Sequence, residues 1–361
     1  MTSQYPSYTP DELRARRLAR QARRRRRKMI RLFTLAAVIL VFALAIGFIV
    51  WLLRSQDTVQ QPAPLPSQSE QTEVPPVVSE PEPIPQPEPE PVYTLHTTDA
   101  TVTVDGALPS QYVIFADVET GEILAQRNHD ARINPASMTK ILTLLVAVEH
   151  IDDLEATFTM TREMADYCFA NECSVVGYEV GESATLRELL YGCIMNSGAD
   201  ACLGLAEGAA GSHEAFVVLM NEKLEELGLA ETSHFTNCVG LYDEEHYCTV
   251  GDMALMLKAA LENDLCREVL TTRTIATAPT SQHPEGQNMS NWFIRRIEDQ
   301  DTGGVNVFTG KTGYVQQAGY CAASCGEAAD GKWYLCVTGR STGTWQSIYD
   351  HAALYKTYAG E

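Results

Sequence analysis

Residues 32–53 read LFTLAAVILVFALAIGFIVWLL, with no charged residue between Arg31 and Arg54. A bilayer crossing takes about 20 apolar residues in a helix, so this run predicts a single transmembrane span. It is too long for the apolar core of a cleaved signal peptide. It also runs into Trp51, Leu52 and Leu53 rather than into small residues at a cleavage site. Residues 1–31 carry Arg14, Arg16, Arg17, Arg20, the run Arg23 to Arg27, Lys28 and Arg31. The positive-inside rule places this basic segment in the cytoplasm and everything after Arg54 outside the cell membrane. Residues 54–92 follow as a Pro/Glu-rich linker holding eleven of the seventeen prolines. Its composition blocks helix and sheet and predicts an extended spacer, reaching on the order of 110 Å from the membrane at about 3.1 Å per residue.

The folding unit is therefore residues 93–361, enough for one large or two small cores. It carries 15 Lys or Arg against 38 Asp or Glu, which excludes nucleic acid as a natural partner. All ten cysteines lie in it, in a compartment where disulfides are permitted. Cys168 with Cys173 and Cys238 with Cys248 are close enough in sequence to pair, although an even count does not fix connectivity. No His/Cys cluster has zinc spacing, so neither a metal nor a cofactor is expected.

Residues 111–128 predict two short strands around a turn at Glu119 to Gly121. The run ILTLLVAV after Lys140 is apolar all round except for Thr143, the pattern of a fully buried helix. Residues 155–264 read as mostly helical, with Thr185 and Glu188 fitting a capping box and Thr249 with Asp252 a second helix start. Strand character returns over 305–338, and TWQSIYDHAALYKTY closes the chain as a helix. Strands at both ends enclosing a helical insert predict one mixed sheet assembled from distant segments, an α/β (α+β) architecture.

Ser137 lies three residues before Lys140, so a helix would place both side chains on one face. Alone, the pair suits an ordinary helix start, with the lysine snorkelling outward. Two further elements follow in order: Ser197 in NSGADAC, and Lys311, Thr312 and Gly313 in GKTGY. The order Ser-x-x-Lys, Ser-x-x, Lys-Thr-Gly is the signature of the penicillin-recognising serine enzymes. NPASMTKILT, SGADAC, TNCVGLYDEEHYCTVGDMALM and GKTGYVQQAGYCAAS together resemble the serine-type D-Ala-D-Ala carboxypeptidases, the low-molecular-weight penicillin-binding proteins, from about Leu108 to the C-terminus.

The resemblance implies a transpeptidase/β-lactamase-like fold, an antiparallel sheet flanked by helices. It also implies removal of the terminal D-Ala from peptidoglycan stem peptides, with β-lactams as inhibitors. Ser137 would be the nucleophile and Lys140, its pKa lowered by burial, the base. Ser197 would relay a proton to the leaving amine, Lys311 would supply positive potential, and Thr312 would meet the substrate's terminal carboxylate. The backbone N–H groups of Ser137 and of Tyr314, next after Gly313, would hold the oxyanion.

The match is incomplete. Ala199 stands where the middle motif ends in Asn, and Asn196, about 100° from Ser197 on a helix, does not simply replace it. The lost amide predicts a weakened enzyme that Ala199→Asn improves. Val239 replaces the family's His before Gly-Leu, and Arg340 is a candidate for the carboxylate-binding arginine. Asp200 is expected to be structural, and His150, His213, His234 and His246 to lie at the surface or at helix ends. Two other readings follow from the same motifs: a degenerate, non-catalytic peptidoglycan-binding module, and a β-lactamase.

Overall fold

A computed structural model describes residues 94–360. The basic segment 1–31, the predicted span 32–53 and the linker 54–92 lie outside them. Among the described residues no helix is long and apolar enough to cross a membrane.

In chain order the elements are strands β1 (His96–Thr103), β2 (Tyr112–Asp117) and β3 (Glu122–Arg127), a 3-10 turn (Ala136–Thr139) and helix α1 (Lys140–His150). Then come β4 (Thr157–Thr159), α2 (Arg162–Ala170), β5 (Ser183–Thr185), α3 (Leu186–Met195), α4 (Ala199–Ala210) and α5 (His213–Glu226). After them follow α6 (Val250–Glu262), α7 (Asp264–Thr271), β6 (Thr274–Ala276), β7 (Asn288–Ser290) and α8 (Trp292–Ile297). The chain closes with β8 (Asn306–Val315), β9 (Gly319–Glu327), β10 (Trp333–Ser341) and α9 (Thr344–Tyr358).

The main sheet has the order β1-β3-β2-β10-β9-β8. Every neighbouring pair in it is antiparallel except β1 with β3, which run parallel. Within this sheet, β1 is the strand that sequence reasoning missed. Its HTTDATVT has β-branched residues but no apolar alternation, because it lies exposed at the edge.

The continuous apolar run of β2 shows that both faces of the sheet are covered. Ile114 and Ala116 face a core shared with α1, α3, α4 and α6, whereas Val113 and Phe115 face a second core under α8 and α9. There the Phe115 ring stacks on Tyr334 at 5.5 Å and meets Tyr355 edge-on at 5.2 Å. α1 is buried from Lys140 to Ala147, as its unbroken apolar sequence requires. Capping boxes at Thr185/Glu188 and Thr249/Asp252 start α3 and α6.

No disulfide forms: all ten cysteines are free thiols, and the pairings Cys168–Cys173 and Cys238–Cys248 are not made. Cys238 Sγ points to the Cys202 carbonyl at 3.7 Å, and Cys248 belongs to a backbone bridge with Ile133. Nine of the ten are buried, so they act as small apolar side chains within the cores.

Candidate active site

Ser137 sits in the 3-10 turn that leads into α1. The turn depends on Ala136 holding φ 47°, an uncommon value for a residue with a Cβ, and the Asn134 side chain accepts the Ala136 N–H at 3.0 Å to stabilise it. One turn on, Lys140 is 2% exposed and donates to Ser137 Oγ at 3.1 Å and to the Val239 carbonyl at 2.6 Å. Its ammonium end is thus turned inward to the serine, which rules out the snorkelling lysine of an ordinary helix start.

The Val239 carbonyl is aimed by a turn that sequence reasoning did not single out. Asn237 Oδ1 accepts the N–H groups of Val239, Gly240 and Leu241 at 3.2, 2.8 and 2.9 Å. Gly240 holds φ +78°, and a Cβ there would lie 2.0 Å from the Ala136 carbonyl oxygen and 2.9 Å from Ser137 N. Only glycine lets the two backbones meet so closely. The sequence signal was an Asn three residues before a Gly, which is common enough in turns to pass unnoticed.

His246 braces the same region from below, and this corrects its placement at the surface: it is 1% exposed and stacked on Phe235 at 4.7 Å. Its Nδ1 accepts the Thr236 N–H at 3.0 Å, so Nε2 carries the hydrogen and donates to Thr139 Oγ at 2.8 Å. That hydroxyl in turn donates to the Ala136 carbonyl at 2.7 Å. Burial pulls the His246 pKa down to about 3, and the imidazole is neutral.

Ser197 does not open a helix. Asn196 closes α3, Ser197 reverses the chain at φ 54°, and Gly198 is the N-cap of α4. The reversal leaves both Asn196 and Ser197 lining the cavity, so the helical offset expected between them does not exist. Ala199 is 1% exposed in the core, with its N–H bonded to the Ser174 carbonyl at 2.8 Å, and it does not line the cavity. Asp200 has the structural task foreseen for it, accepting the N–H groups of Val176 and Gly177 at 2.9 Å each.

Across the cleft runs β8, an edge strand of the sheet. Lys311 is 3% exposed and donates to Ser197 Oγ at 2.9 Å and to the Thr312 carbonyl at 2.8 Å. Burial, followed by the nearby positive charge of Lys140, pulls the Lys311 pKa down to about 7. Gly313 presses β8 against the Ser137 turn: a Cβ there would stand 2.9 Å from Ser137 N. Tyr314 is half exposed, its ring stacked on Tyr320 at 4.4 Å.

Ser137, Ser197, Lys311, Thr312, Gly313 and Tyr314 line one cavity of about 450 Å³, and Lys140 lies beneath its floor. α8 adds Trp292 and Arg296 to the wall, which sequence reasoning missed. Arg340 is not among the lining residues. It occupies a left-handed position, φ 55°, at an irregularity near the end of β10, exposed and packed over Gly319. Among the described residues no cluster of three or more His, Cys, Asp or Glu could hold a metal ion.

Chemically the site offers a hydroxyl hydrogen-bonded to a buried amine, a second hydroxyl on a second buried lysine, and a free strand edge beside both. With the mixed α/β fold, this places the domain in the class of serine DD-peptidases and transpeptidases. Residues 98–339 match the family Peptidase_S11, D-alanyl-D-alanine carboxypeptidase, and the chain belongs to that family.

The chain is 32% identical over 244 residues to the D-alanyl-D-alanine carboxypeptidase DacF of Bacillus subtilis (strain 168), a match covering 68% of this chain and 61% of that protein. It is 30% identical over 235 residues to DacC of Escherichia coli (strain K12), covering 63% and 56%. The chain thus spans less than two thirds of the length of these two relatives. The crystal structure of the Streptomyces K15 DD-transpeptidase superposes with a TM-score of 0.63 at 26% identity, covering 71% of this chain and 98% of that one.

Proposed function

We propose that this chain is a membrane-anchored serine D,D-carboxypeptidase that removes the terminal D-Ala from peptidoglycan stem peptides through an acyl-enzyme. The observation that carries the reading is the contact from Lys140 Nζ to Ser137 Oγ at 3.1 Å, made by a lysine buried under the cavity floor. Lys140 takes the hydroxyl proton as Ser137 Oγ attacks the carbonyl of the penultimate D-Ala. The backbone N–H groups of Ser137 and Tyr314 hold the oxyanion. Ser197, bonded to Lys311, passes a proton to the leaving amine, and free D-Ala departs. Water then attacks the Ser137 ester and returns the shortened peptide with the free hydroxyl. The stem peptide lies along the unpaired edge of β8 as an added strand. Residues 1–31 stay in the cytoplasm, 32–53 span the membrane, and 54–92 hold the domain 93–361 out in the wall.

Intact-protein mass spectrometry after exposure to penicillin is expected to show one adduct on Ser137. Ser137→Ala abolishes it, and so does Lys140→Arg, because a guanidinium stays protonated and accepts no proton. An adduct on another residue, or none, sinks the assignment. D-Ala release from a D-Ala-D-Ala peptide separates the enzyme from a degenerate binding module, and slow rather than fast loss of bound penicillin separates it from a β-lactamase. Protease added to intact cells with a permeable wall is expected to cut the linker and free a soluble domain beginning near Val92. Protection of that domain until the membrane is broken reverses the orientation.

A further inference from the structure

Two thiols meet in the core on either side of the Ser197 turn, and the reaction above leaves them without a task. Cys193 lies in the last turn of α3 and Cys202 in the first turn of α4, so they flank the reversal that carries Ser197. Both are wholly buried, and their sulfurs stand 3.3 Å apart. The contact follows from how closely the two helices pack. A Cβ placed on Gly192 would lie 3.1 Å from the Ala201 Cβ, and the Gly198 N–H donates back to the Gly192 carbonyl at 3.0 Å. The residues next along each helix, Cys193 and Cys202, are thereby brought side by side.

A disulfide holds its sulfurs about 2.05 Å apart, so this pair must close by a little over 1 Å, a distance within reach of rotation about the two χ1 angles. The folded core shields the pair from reagents. Cys193 Sγ points to the Lys140 carbonyl of α1 at 3.7 Å, and burial pushes its pKa up, away from the reactive thiolate. The bond must therefore form while the chain folds, before α1 covers the pair. One cysteine attacks a low-molecular-weight disulfide and releases a thiol, and the second cysteine then displaces the other half. Two protein thiols are oxidised to one disulfide, and the external disulfide is reduced to two thiols, which take up the two hydrogens.

We propose that Cys193 and Cys202 form a disulfide when the chain folds in the presence of such an external disulfide, and that this bond ties α3 to α4 across the Ser197 turn. The dithiol described above is then the reduced form. The bond closes a loop of about ten residues in the unfolded chain and so stabilises the fold. It concerns the scaffold of the site and stands apart from the carboxypeptidase reading.

The test synthesises the full chain in vitro with detergent, in one reaction with oxidised glutathione and in another with dithiothreitol. Each product is blocked with iodoacetamide in urea, without reduction, and cut with trypsin. Peptide 188–223 holds Cys193 and Cys202 and no other cysteine, whereas Cys168 and Cys173, whose thiols also meet, fall in peptide 163–187. From the glutathione reaction, peptide 188–223 is expected to carry no alkyl group and to be lighter than the dithiol by two hydrogens. From the dithiothreitol reaction it is expected to be alkylated twice. The oxidised protein is expected to melt roughly 5–10 °C above the reduced one, and Cys193→Ala and Cys202→Ala each to abolish that difference. Double alkylation of the peptide in both preparations overturns the proposal, as does a bond joining either cysteine to one outside the peptide. Equal melting of the two forms, or a difference that survives Cys193→Ala, means that the bond ties nothing and overturns it as well.

Discussion

Gly240→Ala tests whether Ser137 is positioned by the close approach of two backbone segments. The added Cβ would stand 2.0 Å from the Ala136 carbonyl oxygen and 2.4 Å from its carbon, against an ordinary contact of about 3.4 Å. The segments must therefore part by roughly 1.4 Å, shared between the Asn237 turn and the Ser137 turn. The first carries the Val239 carbonyl at 2.6 Å from Lys140 Nζ, and the second carries Ser137 Oγ at 3.1 Å, so the lysine cannot keep both contacts unchanged. Misplacing reacting groups by about 1 Å costs on the order of 100-fold in rate. Alanine at φ +78° adds about 1–2 kcal/mol of backbone strain to the clash. Gly331→Ala supplies the control: it has φ +85° but no atom within 4 Å of an added Cβ, so it bears strain without clash. The second-order rate of Ser137 acylation by a fluorescent penicillin, measured beside thermal melting, is expected to drop about 100-fold for Gly240→Ala and stay unchanged for Gly331→Ala, both melting lower than the parent. Acylation by a folded Gly240→Ala protein within about threefold of the parent would refute the reasoning.

Ala199→Asn, which sequence reasoning favours as a repair, is expected to melt lower without any gain in kcat/KM, since a side chain 1% exposed in the core leaves no room for an amide and overpacking costs about 1–3 kcal/mol; a tenfold rise in D-Ala release restores the original expectation. Acid sensitivity follows from His246 and His351, both buried and neutral with pKa values pulled down to about 3 from an ordinary 6.5. Below pH 6.5 the unfolded chain binds protons that the native state refuses, so stability is expected to fall by about 1.4 kcal/mol per pH unit for each histidine down to about pH 3. Urea denaturation at pH 7, 6 and 5 measures this, and a midpoint that does not move across the series contradicts it.

What the sequence determined by itself lies in local patterns. The strands β2, β8, β9 and β10, the all-round burial of α1 and the capping boxes of α3 and α6 follow from alternation, unbroken apolarity and paired polar residues three apart. The three motifs nominated Ser137, Lys140, Ser197 and Lys311 because their spacing carries chemical meaning even without coordinates. Tertiary structure decided everything that depends on which segments meet. Asn237 and Gly240 acquire their importance only because their turn abuts Ser137, about a hundred residues away in sequence. His246 is a core brace instead of a surface residue because Phe235 and Thr139 close over it. Ala199 turns inward and Asn196 toward the cavity because Ser197 reverses the chain between α3 and α4 at a left-handed φ, which no propensity scale assigns to a serine. Arg296 reads as one more arginine on a short helix until Phe293 seats α8 against Gly310 and brings its guanidinium to the cavity wall. Periodicity and capping act over a few residues and are written along the chain, whereas long-range packing contacts leave no local trace.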